Sequence, residues 1–185
     1  AISQFGGTHS PGPNFAYKMC TERITEDVAQ SLDLSSWTHA LCGAEPVDAT
    51  VLNDFADRFG KHGYSQDSFY PCYGMAETTL VVSGGLDRRQ SVSRIVSTKA
   101  LEEGRIDTPR DVRDARSLVS SGWVPEGTRA VIVDRETGIA AEPNTIGELW
   151  VQGPSVAAGY FELPEATEQA FSKYLPDGSG PYLAT

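Results

Sequence analysis

The sequence is poor in cysteine and histidine, and it contains no long apolar run. Its three cysteines are Cys20, Cys42 and Cys72. Their spacing fits no CxxC zinc pattern, and an odd number suits a disulfide framework poorly. The three histidines form no recognisable metal-binding set either. We therefore expect small buried thiols in a reducing compartment, and neither a zinc centre nor a disulfide scaffold.

A membrane span and a secretory signal are also missing. No apolar stretch approaches the roughly 20 residues that cross a bilayer. The N-terminal segment Ala1–Phe5 has neither a basic flank nor a long apolar core. Because the chain does not begin with methionine, we expect it to be an interior piece of a longer, cytoplasmic protein.

Positive charge is scarce as well. The 185 residues carry 15 basic and 25 acidic side chains, which gives a formal net charge of −10. Such a surface repels nucleic-acid backbones and anionic membranes, so we expect neither as a main partner. A nucleotide is compatible with this charge, because it brings Mg²⁺ that neutralises its own phosphates.

The first part of the chain has helical periodicity followed by a short apolar run. Phe15, Met19, Ile24 and Val28 stand partly at helical spacing and predict one helix over residues 14–31. The apolar run at residues 37–42 is too short for a typical helix and predicts a buried strand.

The clearest helix of the sequence follows this strand. Asp48 is its expected N-cap, an apolar face runs from Val51 to Phe59, and Gly60 is the expected stop. A second short strand is predicted at residues 68–70, followed by a turn from Pro71 to Gly74. A strand, a capped helix and another strand indicate a βαβ unit and hence a parallel sheet.

The second half has a different pattern. Residues 99–117 hold ten charged side chains, five of each sign, which predicts a surface excursion with a helical tendency. Strands are predicted at residues 130–133 and 146–151, with a turn at residues 134–138. A short helix is predicted from Pro164 to Phe171. We therefore expect an α/β fold, in which a parallel-sheet subdomain is followed by a β-rich, barrel-like subdomain.

The run Tyr73–Thr79 combines a ring, a turn glycine and a carboxylate. An aromatic side chain before a tight turn can stack on a purine, which is worth about 1–3 kcal/mol per base. Gly74 lets a ligand approach the backbone. Glu77 could hold the Mg²⁺ that accompanies ATP, although a helix-capping or surface carboxylate is the commoner role of such a residue.

Two other segments are candidates for binding or for structure. Gly43–Pro46 lies between a predicted strand and a predicted helix, where open α/β sheets bind ligands. A simple tight connection is the alternative there. Gly147–Tyr160 combines a strand with a glycine-bounded loop, and we interpret it as structural.

Four motifs occur in the order and at the separations typical of one superfamily. They are GPNFAY (residues 12–17), GAEPV (43–47), YGMAETT (73–79) and GELWVQGPSVAAGYF (147–161). In these motifs the chain resembles the adenylate-forming enzymes, which include acyl-CoA synthetases, firefly luciferase and the adenylation domains of peptide synthetases. It is most similar to the fatty acyl-AMP ligases. The resemblance covers Ser10 to Thr185 and implies a part of the large N-terminal domain of such an enzyme.

The resemblance also implies an activity and a site. The whole enzyme would join a fatty acid to ATP, release pyrophosphate and pass the acyl group to an acyl carrier protein in polyketide, lipopeptide or lipid biosynthesis. Glu77 would be the catalytic ligand of Mg²⁺. The implied nucleotide-binding residues are Gly43, Ala44, Glu45, Pro46, Tyr73, Gly74, Met75 and Ala76. The implied acyl-pocket residues are Asn14, Phe15 and Tyr17, and for Phe15 a role in the helix core is equally expected.

Some features depart from the family pattern. Ala76 replaces the threonine of many relatives, as is common in fatty acyl-AMP ligases, whereas Pro11 and Trp123 stand where glycine and arginine are usual. The phosphate loop with its lysine, the Gly-Asp that holds the ribose and the small domain with the catalytic lysine are not in this chain. We therefore expect the chain by itself to be inactive.

Two alternatives to the acyl-AMP ligase hypothesis stay open. Residues 99–117 fall where fatty acyl-AMP ligases carry an insertion that acyl-CoA synthetases lack. If this segment were a plain solvated loop, a CoA-using synthetase would be the alternative. A non-catalytic module that keeps the adenylating fold for binding is the other, and Glu77 argues mildly against it. The resulting domain hypothesis is an α/β portion over residues 1–98, a charged insertion over residues 99–117 and a β-rich portion over residues 118–185.

Overall fold

A computed structural model of the protein describes residues 1–85 and 92–185. The chain forms two units that alternate along the sequence. The first comprises Ala1–Gly74, Ser83–Arg94 and Ser117–Trp123, and the second comprises Met75–Val82, Ile95–Arg116 and Val124–Thr185. The predicted insertion at residues 99–117 can be recognised only by comparison with acyl-CoA synthetases, so it stays a prediction.

Helices and strands alternate in the first part of the chain, and strands dominate later. In the described ranges the helices are α1 (Ile2–Phe5), α2 (Asn14–Arg23), α3 (Glu26–Gln30), α4 (Ala49–Phe59), α5 (Thr98–Glu102) and α6 (Pro164–Phe171). The strands there are β1 (His9–Gly12), β2 (His39–Cys42), β3 (Phe69–Gly74), β4 (Val81–Gly84), β5 (Ser93–Ser97), β6 (Ala115–Val119), β7 (Arg129–Val133), β8 (Glu148–Gln152) and β9 (Leu183–Ala184).

The strands β1, β2, β3 and β4 form one sheet in sequence order. β1 runs parallel to β2, with His9 opposite His39. β2 runs parallel to β3, with Ala40 opposite Phe69. Helices α2 and α3 connect the first pair and α4 connects the second, as parallel strands require. The predicted βαβ unit and parallel sheet are confirmed.

Helix α4 begins where its sequence predicts and buries the predicted face. Asp48 is the N-cap, and its Oδ1 accepts a hydrogen bond of 2.8 Å from the backbone N–H of Thr50. The side chains spaced three and four residues apart form the apolar stripe of an amphipathic helix. The buried ones are Leu52, Phe55, Ala56 and Phe59.

The end of α4 agrees with the prediction in position but not in backbone conformation. Gly60 has a φ of −57°, a right-handed helical value, and the chain continues through a 3₁₀ turn at Gly60–His62. The left-handed residue that ends the helical path is Gly63, with a φ of 89°. Glycine is favoured there because it has no Cβ to clash in this conformation. The α-helix therefore ends at Gly60 as predicted, whereas the left-handed glycine typical of a helix end is Gly63.

The single helix predicted over residues 14–31 is also wrong. Helix α2 begins at Asn14 as expected, but Ile24 and Thr25 are extended, with ψ values of 117° and 158°. They separate α2 from α3, because extended backbone cannot continue the helical hydrogen bonds.

Of the four apolar residues that predict this helical region, Ile24 packs against the core and the other three do not face it. Phe15, Met19 and Val28 are 57%, 38% and 53% exposed. The buried residues are Tyr17 in α2 and Ala29 in α3. The spacing of apolar residues gives the wrong face because the ring of Tyr17, a residue with a polar end, supplies the buried surface of α2.

The core of the first unit is an aromatic cluster centred on Phe55. Its ring lies within 6.0 Å, centroid to centroid, of five other rings. These rings belong to Tyr17, Trp37, Phe59, Tyr64 and Phe69. Most of the pairs are edge-to-face, an arrangement worth about 0.5–1.5 kcal/mol beyond the burial of area. The hydroxyl of Tyr17 also donates a hydrogen bond of 2.8 Å to the carbonyl of Leu41, which ties α2 to β2.

Strand β3 is longer than predicted. It covers Phe69–Gly74, whereas the sequence predicts a turn from Pro71 to Gly74. Pro71 lies opposite Cys42 of β2, and the fixed φ of proline, about −65°, is compatible with extended backbone. The turn occurs after the strand, as a 3₁₀ turn at Ala76–Thr78.

In the second unit, β7, β8 and β9 form an antiparallel sheet with β8 in the middle. The β-rich character, the two predicted strands and the helix that begins at Pro164 are confirmed. Within the described residues this sheet is open, so no barrel-like closure is seen. Its core side chains are Val133, Trp150, Leu175 and Tyr182.

The charged segment is ordered by its acidic side chains. Asp114 accepts hydrogen bonds from the backbone N–H groups of Lys99, at 3.0 Å, and Arg110, at 3.2 Å. The charged segment begins with the short helix α5, which agrees with the predicted helical tendency. Its charged side chains are exposed or half-buried, as expected of a surface excursion, whereas Ala100 is buried.

The aromatic cluster gives a prediction about stability. Phe55 is 3% exposed, so Phe55→Ala should lower the free energy of unfolding by about 3–5 kcal/mol through lost burial and a residual cavity. The matched control is Phe161→Ala, at a side chain that is 88% exposed and that should change stability by less than about 0.5 kcal/mol. Urea denaturation followed by circular dichroism measures both changes. Equal effects of the two substitutions would contradict the central role of Phe55.

Candidate functional site

The carboxyl ends of β2 and β3 lie side by side. Cys42, the last residue of β2, is opposite Pro71 of β3. The loop Gly43–Pro46 leaves β2 at the edge where Tyr73 and Gly74 end β3. Ligands of open α/β sheets bind outside this edge. The structure thus brings together the two parts of the predicted nucleotide site that belong to the first unit.

A side chain at position 43 would collide with β3. A Cβ built on Gly43 would lie 2.8 Å from the carbonyl oxygen of Cys72 and 2.9 Å from its Sγ. Real Cβ atoms do not come so close. The thiol of Cys72 also contacts the carbonyl oxygen of Cys42 at 3.6 Å. Glycine therefore lets the loop turn directly against β3, next to Tyr73.

Two side chains anchor the loop to the start of α2. Glu45 Oε1 accepts a hydrogen bond of 2.8 Å from the backbone N–H of Phe15. Asn14 Oδ1 accepts one of 3.1 Å from the backbone N–H of Asp48. The first N–H groups of a helix lack partners inside the helix and favour negative charge. The sequence predicts Asn14 and Phe15 for an acyl pocket. In the structure their hydrogen bonds hold the loop in place.

The thiols beside the loop are poor nucleophiles. Burial raises the pKa of Cys42 to about 12, and it also raises the pKa of Cys72. Both thiols are therefore protonated at neutral pH, whereas the thiolate is the reactive form. All three cysteines are free. The loop offers a ligand its shape and its backbone groups.

An apolar cavity of about 420 Å³ lies in the first unit between α1, β1, α2 and the aromatic cluster. Its volume is within the usual range for ligand pockets, about 300–1,000 Å³. Tyr17 lines it, whereas Asn14 and Phe15 do not. Ala16 and Cys20 line it as well. The sequence does not single them out, because small side chains carry little pattern.

The other predicted residues, Met75, Ala76 and Glu77, belong to the second unit. The backbone N–H of Met75 donates to the carbonyl of Leu80 at 2.8 Å, and Ala76–Thr78 form the 3₁₀ turn. The carbonyl of Glu77 accepts a hydrogen bond of 2.8 Å from the N–H of Ala157. The backbone around Glu77 is thereby fixed.

The carboxylate of Glu77 bonds to the side chain of Tyr160. Tyr160 donates a hydrogen bond from its hydroxyl to Glu77 Oε1 at 2.7 Å. This bond is the main cause that lowers the pKa of Glu77, so the carboxylate is ionised at neutral pH. Tyr160 is absent from the residues predicted from the sequence. Its position at the end of the motif Gly147–Tyr160 is the only signal that the sequence offers.

Magnesium is the metal that the resemblance implies, and Glu77 fits it. An ionised, partly exposed carboxylate supplies the oxygen ligands that Mg²⁺ prefers. The described residues contain no group of three or more His, Cys, Asp or Glu side chains that could hold a metal by themselves. Mg²⁺ is commonly bound by one or two carboxylates together with phosphates and water, so a single carboxylate is sufficient here.

The parallel sheet thus presents a glycine loop and an aromatic residue at its carboxyl edge, the position at which open α/β sheets bind ligands. Residues 1–161 match the family of AMP-binding enzymes. The chain belongs to this family.

The relatives agree with the resemblance seen in the motifs. The chain is 38% identical over 188 residues to the medium-chain-fatty-acid–acyl-carrier-protein ligase JamA of Moorena producens, with 100% of the chain and 32% of the relative covered. It is 34% identical over 189 residues to the long-chain-fatty-acid–AMP ligase FadD23 of Mycobacterium tuberculosis, with the same coverage. The predicted similarity to fatty acyl-AMP ligases is confirmed.

A solved structure shows the same fold. It is the fatty acyl-adenylate ligase from L. pneumophila in complex with acyl adenylate and pyrophosphate. The TM-score is 0.93 at 38% sequence identity, and 100% of this chain and 32% of that chain are covered. This chain spans about a third of the length of the relatives that it matches. None of the helices in its described ranges has the length and apolarity that a bilayer crossing requires.

The contact of Gly43 with β3 gives a second prediction. Gly43→Ala should force the loop away from β3. If the whole protein uses ATP, as the resemblance implies, its KM for ATP should then rise by about tenfold or more. Gly60→Ala is the matched control, because a Cβ there meets nothing within 4 Å and the φ is helical. It should leave KM unchanged and raise stability by about 0.4–1 kcal/mol. If Gly43→Ala kept the parent KM, the loop would not contact the nucleotide.

Proposed function

We propose that the whole protein activates a fatty acid with ATP, forming acyl-AMP and pyrophosphate, and then passes the acyl group to an acyl carrier protein. One observation carries the proposal. The loop Gly43–Pro46 and the residues Tyr73 and Gly74 lie together at the carboxyl edge of β2 and β3. The names of the relatives, which include two acyl-carrier-protein ligases, support this choice of reaction.

In the first unit, the proposed ligand is the adenine of ATP. The backbone of Gly43, Ala44, Glu45 and Pro46 would line one face of the base. Tyr73, which is partly buried, would lie against the other face. The anchors of Glu45 and Asn14 support this role, because a loop held before the ligand arrives loses little entropy on binding.

In the second unit, Met75 and Ala76, which follow Gly74 in the sequence, would approach the α-phosphate, and Glu77 would bind Mg²⁺. Mg²⁺ would neutralise charge on the phosphates as pyrophosphate leaves. The reaction needs a carboxylate oxygen of the fatty acid to attack the α-phosphorus as the bond to pyrophosphate breaks. The residues of this chain contribute by holding the nucleotide in place, which is a large part of the rate in such transfers.

The acyl chain would occupy the apolar cavity beside Tyr17. Each methylene that leaves water there contributes about 0.8 kcal/mol. Ala16 and Cys20 are small, so they leave the space that a hydrocarbon chain needs. Of the three predicted acyl-pocket residues, Tyr17 would form the wall, and Asn14 and Phe15 would act through the loop.

The molecule that accepts the acyl group distinguishes this proposal from its nearest alternative. In the proposal the segment 99–117 is an insertion that disfavours the use of CoA, so the carrier protein receives the acyl group. An acyl-CoA synthetase is the alternative, and a non-catalytic binding module is another.

The third prediction tests the proposed reaction. The whole protein should catalyse fatty-acid-dependent exchange between ATP and pyrophosphate, and Glu77→Ala should lower the rate by about 100-fold or more. Glu168→Ala is the control, since Glu168 is an exposed carboxylate on α6 and should leave the rate unchanged. Full exchange by the Glu77→Ala variant would show that Glu77 is not the metal ligand. Absence of exchange in the parent protein would favour the binding module.

The same preparation identifies the acceptor. Offered equal concentrations of CoA and carrier protein, the enzyme should load the carrier protein. Efficient formation of acyl-CoA would establish the synthetase alternative.

The fourth prediction concerns the cavity. Cys20→Phe should fill part of it, so the preferred fatty acid should become shorter by several carbons while the KM for ATP stays the same. Met19→Phe is the matched control, because Met19 is next to Cys20 in sequence, is 38% exposed and does not line the cavity. This variant should keep the chain-length preference of the parent. The exchange rate over a series of chain lengths measures both. An unchanged preference in the Cys20→Phe variant would place the acyl chain elsewhere.

A further inference from the structure

The hydroxyl of Tyr160 meets the carboxylate of Glu77 across a large distance in sequence. The two residues are 83 positions apart, and the donor and acceptor oxygens are 2.7 Å apart. Both residues belong to the second unit. A short hydrogen bond to an ionised acceptor is among the stronger ones in proteins. This contact therefore restricts the rotation of the Glu77 carboxyl group.

The segments that carry the two residues are joined by further bonds. The backbone N–H of Ala157 donates to the carbonyl of Glu77 at 2.8 Å. The hydroxyl of Thr79 donates to the carbonyl of Ser155 at 2.8 Å. The path of the chain is thus fixed without Tyr160. Loss of the phenol hydroxyl alone should leave the backbone of both segments in place.

Helix α6 holds the ring of Tyr160. The backbone N–H of Tyr160 donates to Thr167 Oγ1 at 2.9 Å. The ring packs edge-to-face against Phe171, with centroids 5.2 Å apart. These contacts involve the backbone and the ring, so they are independent of the hydroxyl. The hydroxyl is then the one part of Tyr160 that is directed to Glu77.

We propose that Tyr160 is a positioning residue, whose hydroxyl orients the Glu77 carboxylate for the Mg²⁺ that accompanies ATP. The inference rests on the proposed function, in which Glu77 is a ligand of that ion. A neutral hydroxyl occupies one lone pair of Oε1 and leaves the negative charge of the carboxylate intact. Mg²⁺ demands near-ideal octahedral geometry, so a carboxylate that is already oriented binds it with less loss of freedom.

The motif that ends at Tyr160 acquires a second role on this proposal. The sequence predicts a structural segment at Gly147–Tyr160, and β8 within it is indeed a central strand. Its last residue would in addition belong to the outer layer of the metal site. Residues that orient metal ligands commonly change metal affinity by about 10- to 100-fold when they are replaced in buried sites. Because the Glu77–Tyr160 bond is exposed, we expect a smaller effect.

The experiment compares nucleotide binding with and without the metal. The whole protein binds a non-hydrolysable ATP analogue, and calorimetry gives its Kd once with Mg²⁺ and once with EDTA. Tyr160→Phe should weaken binding about three- to tenfold with Mg²⁺ and leave it unchanged with EDTA. Tyr174→Phe is the control. It removes a phenol hydroxyl from a side chain that is 55% exposed, and it should change neither Kd.

Two further variants separate the possible failures. Glu77→Gln should abolish most of the Mg²⁺-dependent tightening, and adding Tyr160→Phe to it should have no additional effect, because the two residues act as one unit. If Glu77→Gln weakens binding with Mg²⁺ but Tyr160→Phe does not, the role of Tyr160 is refuted and the proposed function stands. If Glu77→Gln has no effect, the metal assignment fails, and the inference fails with it.

A merely structural role of Tyr160 gives a different result. Tyr160→Phe would then weaken binding equally with Mg²⁺ and with EDTA, or it would lower the thermal unfolding temperature of the nucleotide-free protein. Either outcome overturns the proposal. An unchanged unfolding temperature together with an effect confined to Mg²⁺ supports it.

Discussion

The packing of rings around Phe55 is the constraint on which the first unit depends. It joins α4, which carries Phe55, to α2 through Tyr17 and to β3 through Phe69. The hydrogen bond from Tyr17 to the carbonyl of Leu41 then sets α2 against β2. These contacts fix the middle of α2 to the core and the sheet. The start of α2 then bonds to the loop after β2 and to Asp48.

The second unit fixes the position of Glu77 by other means. A tight turn, a backbone hydrogen bond from Ala157 and a phenol hydroxyl surround Glu77. These polar contacts lie close to the carboxylate in space, and none of them needs a large core. On the proposed function, the difference has a physical reason. An adenine is bound by shape and apolar surface, whereas a phosphate group with its metal ion needs oriented charge.

The sequence predicts the elements of the fold better than their faces and ends. Helix α4 was predictable, because Asp48, the spacing of its apolar residues and the following glycine all agree. Helix α2 was not. Its exposed Phe15 and Met19 resemble a buried stripe, and only the three-dimensional position of Tyr17 decides which face is inside. The extension of β3 through Pro71 was equally hidden, because pairing with β2 overrides the turn preference of proline.

For the proposed site, the motifs identify candidate segments but only part of the contacts that these segments make. The sequence predicts Glu77 and gives no sign that Tyr160 touches it, because hydrogen bonds between residues so far apart leave no local pattern. It places Asn14 and Phe15 near an acyl chain, whereas in the structure they hold the loop. Order and spacing of motifs reveal the family. The partners of each side chain come from tertiary packing.

The anchoring of Glu45 has a consequence for how such a site can evolve. Its carboxylate is engaged by the backbone of Phe15, and a side chain at Gly43 has no room. On the proposed function, the loop therefore meets the base with peptide groups, which are chemically alike in every residue. Recognition of the nucleotide would then depend on the path of the main chain. Substitutions in the loop would be tolerated only where they keep that path, to which Gly43 and Glu45 both contribute, and a change of ligand would require a different turn.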